Sequence, residues 1–235
     1  VSPLLGYLNI GICLGFRYWN LGFDLMDADK ARQFLEALKK MGIESYFFER
    51  KNELTLSALQ KEVKACARCA LAQTRRTVVF GEGNERADVV FVGEAPGEEE
   101  DAQGRPFVGR AGKFLDQMIQ QVGLSRKDVF ICNVLKCRPP KNREPDPAEV
   151  ERCKDYLFTQ LQLIRPKVIC ALGRHAYNTL MGVDARITKI RGQFTEYNGI
   201  KLLPTYHPSF LLRNQERVKE AFEDMEKLKE TLGVR

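Results

Sequence analysis

The sequence predicts an α/β fold in which a parallel sheet is sandwiched between helices. Three observations carry this. Val89-Val90-Phe91-Val92, the DVFICNV run at 128–134 and the KVICAL run at 167–172 are short and apolar without alternation, as strands buried on both faces must be. Each run is followed by a helical pattern: Phe114, Leu115, Met118, Ile119 and Val122 after the first, residues 147–164 after the second and 174–181 after the third. Strand, helix, strand, helix, strand, helix in that order is the signature of a parallel sheet covered on its faces.

The remaining elements follow in order. Residues 1–16 carry no charge and contrast with the rest of the chain. They are too short for a membrane span and lack the basic start and small-residue cleavage site of a signal peptide. We read residues 1–25 as a mis-called upstream extension, because Met26 offers a conventional start and Asp27 an N-cap for a helix over 27–43. A charged flexible linker at 49–53 leads to a second amphipathic helix at 55–65, which ends on Cys66-Ala67-Arg68-Cys69. Pro147 suits the first turn of the helix at 147–164. Asn198-Gly199 between 193–196 and 200–204 predicts a type I′ hairpin. The hairpin delivers Tyr206-His207-Pro208-Ser209, and a charged helix at 214–232 closes the chain. Residues 1–55 are therefore an N-terminal extension and 56–235 the working domain.

Composition narrows the partners. An apolar content of 44% over 235 residues supports a full core. The excess of 37 Lys+Arg over 31 Asp+Glu, a charge of +6, permits nucleic acid without requiring it. Seven cysteines without a secretory signature point to thiolate chemistry in a reducing compartment, hence a cytoplasmic protein and no membrane partner.

Two features carry candidate chemistry. Between the first strand and its helix lies a long loop with Glu94, four consecutive acids (Glu98 to Asp101), several glycines and Phe107. Ligands of open parallel sheets bind beyond the carboxyl ends of the strands, where this loop sits. The second feature is a cysteine set. Cys66 and Cys69 have C-x2-C spacing, while Cys137 and Cys153 flank a Pro-rich loop that lets both reach one site. Four thiolates suit zinc or an iron–sulfur cluster, and spacing does not separate these. Cys132 and Cys170 lie in apolar strands as small core residues.

Taken in order, Cys66-x2-Cys69, Gly93-Glu94-Ala95-Pro96-Gly97, Gly104-Arg105-Pro106-Phe107-Val108-Gly109, Asn133, Lys136-Cys137-Arg138-Pro139-Pro140, Asn142-Arg143, Cys153 and His207-Pro208-Ser209 resemble the family 4 uracil-DNA glycosylases, the bacterial and archaeal iron–sulfur type. The resemblance spans about 56–213. It implies a three-layer α/β/α sandwich around a four-stranded parallel sheet, and a [4Fe–4S] cluster on Cys66, Cys69, Cys137 and Cys153. A related sub-family cross-links to abasic DNA through a histidine on an inserted basic loop. The run from Asn133 to Arg143 has neither, so free turnover is expected, by a monomer acting on uracil-containing single- or double-stranded DNA.

The resemblance also suggests roles. Excision requires the base to leave the stack. Phe107 supplies a stacking face, and the Asn133 amide reads uracil by donating to O4 and accepting from the ring N–H. Ala95 and Pro96 complete the uracil-binding set, and Glu100 is the candidate wall against the thymine methyl. His207 donates to the charge that develops on departing uracil, and His175 is read as structural. The better-known uracil glycosylases carry an aspartate where this chain has Ala95, which leaves Glu94 or nearby backbone groups to orient water. Lys136, Arg138, Lys141, Arg143, Arg191, Ser209 and Arg213 are candidate DNA contacts, and Leu211 or Leu212 a wedge. The rival readings are a zinc- or cluster-bearing DNA-binding module without turnover and a glycosylase of different lesion preference.

Overall fold

The central strands carry no polar alternation because helices cover both of their faces. In the computed structural model, which describes residues 8–14, 17–23, 36, 46–50 and 54–234, the chain divides into two compact units, Val1–Thr55 and Leu56–Arg235. In the first, β1 (Leu8–Leu14) pairs antiparallel with β2 (Arg17–Phe23) and with β3 (Tyr46–Arg50). Strand β3 takes up the start of the linker expected at 49–53. Apart from Glu36, which is helical, the helix expected over 27–43 lies outside the described residues.

The second unit is built on a six-stranded sheet, whose strands follow one another in the order Glu82–Gly83, Phe130–Asn133, Val89–Gly93, Val168–Leu172, Ile200–Thr205 and Thr195–Tyr197. Its four inner strands, β6 (Phe130–Asn133), β5 (Val89–Gly93), β7 (Val168–Leu172) and β9 (Ile200–Thr205), are mutually parallel. The short β4 (Glu82–Gly83) and the hairpin strand β8 (Thr195–Tyr197) add antiparallel edges that sequence periodicity was too brief to disclose in full. Asn198 and Gly199 both take positive φ, 48° and 82°, as a type I′ turn requires.

Successive strand residues point to opposite faces, and two cores result. Val90, Val92, Phe130, Cys132, Ile169 and Ala171 pack with α1 (Leu56–Lys64), α5 (Pro147–Ile164) and α6 (Arg174–Met181). Val89, Phe91, Ile131, Cys170 and Leu203 pack with α4 (Arg110–Gln121) and α9 (Val218–Leu232). The result is a three-layer α/β/α sandwich, with α2 (Leu71–Thr74) and α7 (Ile187–Ile190) as short connecting helices. No helix among the described residues is long and apolar enough to cross a membrane.

Local sequence sets the helix ends. At α5, Asp146 caps the N-terminus by accepting from Ala148 N at 2.8 Å, Pro147 fills the first turn, and Glu149 accepts from Asp146 N at 2.9 Å. Such a cap contributes about 1 kcal/mol.

The loop after β5 is less irregular than the sequence suggested. Its four acids form the first turn of a short helix, α3 (Glu98–Gln103), where carboxylates complement the positive end of the helix dipole. Asp101 turns inward, is buried, and accepts from the backbone N–H groups of Arg76 and Thr77. Glu100 accepts from Gly97 N (3.1 Å), Val108 N (2.9 Å) and Gly109 N (3.0 Å), tying both ends of the loop together.

Phe107, within that loop, is held at φ 51°, which costs on the order of 1–3 kcal/mol for a bulky residue. Arg126 compensates by donating to Phe107 O and Pro106 O, each at 2.7 Å. Helix α4 passes so close that a Cβ on Gly112 would overlap the Phe107 carbonyl oxygen and lie 3.0 Å from its Cα. Replacing a glycine within a helix by alanine ordinarily stabilises by up to about 0.5–1 kcal/mol, and Gly112 lies in the first turn of α4. Here the neighbour is backbone and cannot swing away, so overpacking at about 1–3 kcal/mol decides the sign. Gly112→Ala is expected to lower the thermal midpoint by several degrees in a calorimetric or dichroism melt; an unchanged or higher midpoint contradicts the packing described.

Candidate active site

All four inner strands end at one cleft of about 570 Å³, and each contributes a functional group there. After β5 come Glu94, Ala95 and Pro96. The last residue of β6 is Asn133. After β7 come Gly173, Arg174 and His175, and after β9 come His207 and Ser209. Strand β5 leads through α4 on one face, whereas β7 leads into α6 on the other, so the cleft opens where the connections diverge.

Gly93, the last residue of β5, packs against both the Phe107 ring and the Asn133 amide. A Cβ there would lie 2.5 Å from the Phe107 ring and would collide with Asn133 Oδ1. Only glycine lets the ring and the amide meet over the strand end. Asn133 is 1% exposed, yet its Oδ1 has no hydrogen-bond partner among the described residues. A buried acceptor left open costs about 1–3 kcal/mol, and such atoms in native proteins call for an explanation. The Phe107 ring is 5% exposed and stands 5.7 Å, centroid to centroid, from the imidazole of His207. The ring, the amide and the imidazole named from the sequence are thus brought to one pocket.

His207 caps α8 (Pro208–Leu211). Its Nδ1 accepts from Ser209 N at 3.1 Å and lies 2.7 Å from Ser209 Oγ. A backbone N–H can only donate, so Nδ1 is unprotonated and the ring hydrogen belongs on Nε2. Burial, with Arg213 and His175 nearby, lowers the His207 pKa to about 4. Near neutral pH the ring is therefore an uncharged Nε2–H donor. Gly173, at φ 89°, lets the end of β7 approach this loop, since a Cβ there would lie 3.1 Å from His207 Cβ.

Glu94 is half-buried. Desolvation raises its pKa, and His175 opposes that shift. His175 Nε2 lies 3.8 Å from Glu94 Oε2 and 3.7 Å from Glu144 Oε1, while Arg174 binds Glu144 at 2.8 Å. His175 was read from the sequence as structural and lines the cleft instead. Its place directly after an inner strand was the available signal. Arg174 and Glu144 join the cleft in the same way and were not singled out from sequence.

Several expected surface contacts are corrected. Lys136 is 1% exposed, with Nζ donating to Asn133 O (2.7 Å) and Gln160 Oε1 (2.6 Å), so it cannot reach a phosphate. Arg191 is engaged internally by Asp224 and Glu220. Leu211 is fully buried in the α4/α9 core, whereas its neighbour Leu212 is exposed. Arg138 pairs with Glu98 at 3.4 Å and Arg143 with Glu149 at 2.6 Å. Arg143 and Arg213 line the cleft, and Arg213 is exposed. Glu100 borders the cleft as a brace of the loop rather than as a solvated acid.

Cys66, Cys69, Cys137 and Cys153 line a second cavity with Val63, Leu71 and Tyr156, and none is in a disulfide. Polar hydrogens already face the sulfurs: Lys136 N to Cys153 Sγ (3.4 Å), Arg68 N to Cys66 Sγ (3.5 Å) and Arg75 Nη1 to Cys137 Sγ (3.1 Å). Burial pushes the Cys153 thiol up to about 11 and raises Cys137 as well. Thiolates in such a place need a compensating positive charge. Among the described residues no three His, Cys, Asp or Glu side chains could hold a single metal ion.

The family described as the uracil DNA glycosylase superfamily matches residues 80–232. The type-4 uracil-DNA glycosylase of Thermotoga maritima is 48% identical over 181 residues, covering 75% of this chain and 94% of that protein. That of Saccharolobus solfataricus is 46% identical over 188 residues (76% and 87%), and that of Archaeoglobus fulgidus 43% over 187 (76% and 94%). The chain belongs to the uracil DNA glycosylase superfamily, among the type-4 uracil-DNA glycosylases.

Proposed function

We propose that this chain is a DNA-repair hydrolase that cleaves the N-glycosidic bond of deoxyuridine in DNA, releasing uracil and leaving an abasic site. The observation that carries the reading is the open, buried Oδ1 of Asn133 beside the Phe107 ring. Uracil presents an N3–H to such an acceptor and an O4 to the amide N–H groups. Cytosine presents the reverse and would leave both sides unpaired, at about 1–3 kcal/mol for each buried group. Stacking on Phe107 adds about 1–3 kcal/mol to the hold on an extruded base.

When the C1′–N1 bond breaks, its electron pair leaves with uracil and negative charge gathers at O2. The Nε2–H of neutral His207 is the donor for that charge, fixed in direction by Ser209 and stronger toward the departing anion than toward the bound base. Water adds to C1′ on the sugar side, and Glu94 is the group that holds it. Ala95 and Pro96 border the base, and Glu100, immobilised by three backbone N–H groups, forms the wall against a 5-methyl substituent. Arg138, Arg143, Ser209 and Arg213 on or beside the rim suit the DNA backbone, and exposed Leu212 takes the wedge role in place of Leu211.

The cysteine cavity fits a [4Fe–4S] cluster on Cys66, Cys69, Cys137 and Cys153: four thiols, an apolar lining and hydrogen-bond donors on the sulfurs. Bound there, the cluster would supply a covalent cross-link between α1, α5 and the strand end preceding Cys137. Hydrolysis of a glycosidic bond needs no electron.

Three outcomes are expected. Protein incubated with a uracil-bearing strand, then alkali, cleaves the strand at the former uracil, and Asn133→Ala slows release by about ten- to a hundredfold. Tight binding without cleavage instead favours a binding module. The chain has two histidines, so ring NMR is simple to assign, and the His207 resonances are expected to titrate near pH 4. Below its ordinary pKa of about 6.5 the unfolded chain takes up a proton that the folded ring refuses, so this site weakens folding as pH falls toward 4. Titration near 6.5 contradicts the neutral donor. Finally, purified protein is expected to carry about four irons, and Cys153→Ser to lose iron, visible colour and thermal stability; full stability after iron loss contradicts the structural role.

A further inference from the structure

The hydrolytic half of the reaction lacks the aspartate of better-known relatives, and the cleft holds an arrangement that stands in for it. Glu94 and His175 are both half-buried and belong to different strand ends. The Glu94 carboxylate makes no hydrogen bond among the described residues, and its ion-pair contact there is His175 Nε2 at 3.8 Å. Nε2 is buried and equally without a hydrogen-bond partner. A buried donor left open is costly unless the working state gives it an acceptor, and the partly exposed Glu94 carboxylate is one that it faces. Carboxylates only accept, so Nε2 must be the donor. Glu144, at 3.7 Å, is the competing acceptor, but it is largely exposed and already bound by Arg174 at 2.8 Å. The unpaired carboxylate is that of Glu94.

We propose that His175 is a positioning residue for hydrolysis: its Nε2–H holds one oxygen of Glu94 so that the other faces the attacking water. The inference rests on the uracil-releasing function above. In the step, the water oxygen bonds to C1′, its proton passes to the free Glu94 oxygen, and the C1′–N1 pair leaves with uracil at His207. Glu94 then returns its proton to uracil or solvent. The 3.8 Å separation is longer than a hydrogen bond, as catalytic contacts in a substrate-free enzyme often are, and tightens as DNA closes the cleft. Burial works against an ionised Glu94, and the imidazole works for it.

A double-mutant cycle on the intact protein tests this, with single-turnover uracil release and DNA affinity measured together. His175→Ala is expected to slow release about tenfold or more while leaving DNA affinity and thermal midpoint near wild type, and Glu94→Ala to slow it about a hundredfold. His175→Gln, which keeps an N–H donor at the same reach, is expected to recover most of the loss. If His175 acts through Glu94, His175→Ala in the Glu94→Ala background slows release no further, within about threefold. Effects that multiply, a His175→Ala enzyme as fast as wild type, or a Glu94→Ala enzyme that turns over normally overturns the proposal. A wild-type protein that releases no uracil fails the function itself and is recognised at the first measurement.

Discussion

An ideal Cβ on Gly93 would fall 2.5 Å from the Phe107 ring and into Asn133 Oδ1, so ring and amide meet only because β5 ends without a side chain. From that contact the rest of the domain can be read outward. The ring needs the strained φ of Phe107, the strained loop needs Arg126 on its carbonyls, and the carbonyl in turn needs Gly112 in α4. The amide needs β6 in register with β5, which the backbone bonds from Val134 N to Gly93 O and from Leu135 N to Glu94 O extend past the strand end. A slot wide enough for a flat ring is thus a packing result of two helices and two strands, and stiff for that reason.

The cysteine cavity and the cleft lie apart but share their supports. Lys136 sends its backbone N–H to Cys153 and its ammonium group to the carbonyl of Asn133. Arg75 grips Cys137 Sγ and Cys66 O, and the next residue, Arg76, donates to buried Asp101 in the helix that Glu100 staples to the Phe107 loop. Both walls of the slot are therefore anchored on segments that carry cysteines. A cluster bound there would restrain the two walls relative to each other, which is what rigid recognition of a flipped base demands.

Much of this was legible in the residues. The apolar runs of β5, β6 and β7, and Pro147 at the start of a helical pattern, gave strands and a helix whose observed ends lie within a residue or two, because buried parallel strands and helix starts are specified locally. Phe107, Asn133 and His207 were legible as a set only through the ordered motifs, and the fold brings them together. What the sequence concealed depends on distant partners. Lys136 and Arg191 look like surface cations until Gln160, Asp224 and Glu220 arrive from other elements. Leu211 looks like a wedge until α4 and α9 cover it. The acids after Pro96 look like a loose loop, since Glu100 finds its three N–H donors only once the chain has folded back. His175 is marked in the sequence only by its place just after β7; the 3.8 Å to Glu94, 81 positions earlier, arises only in the fold.

The most direct measurement is the structure of this protein with free uracil bound. The ring should lie against Phe107 over Gly93, with N3–H on Asn133 Oδ1, O4 toward the same amide, and O2 within hydrogen-bond reach of His207 Nε2. Uracil bound outside the cleft, or inside it with Asn133 Oδ1 still unpaired, would contradict the claim that this orphaned acceptor is the reader of the base.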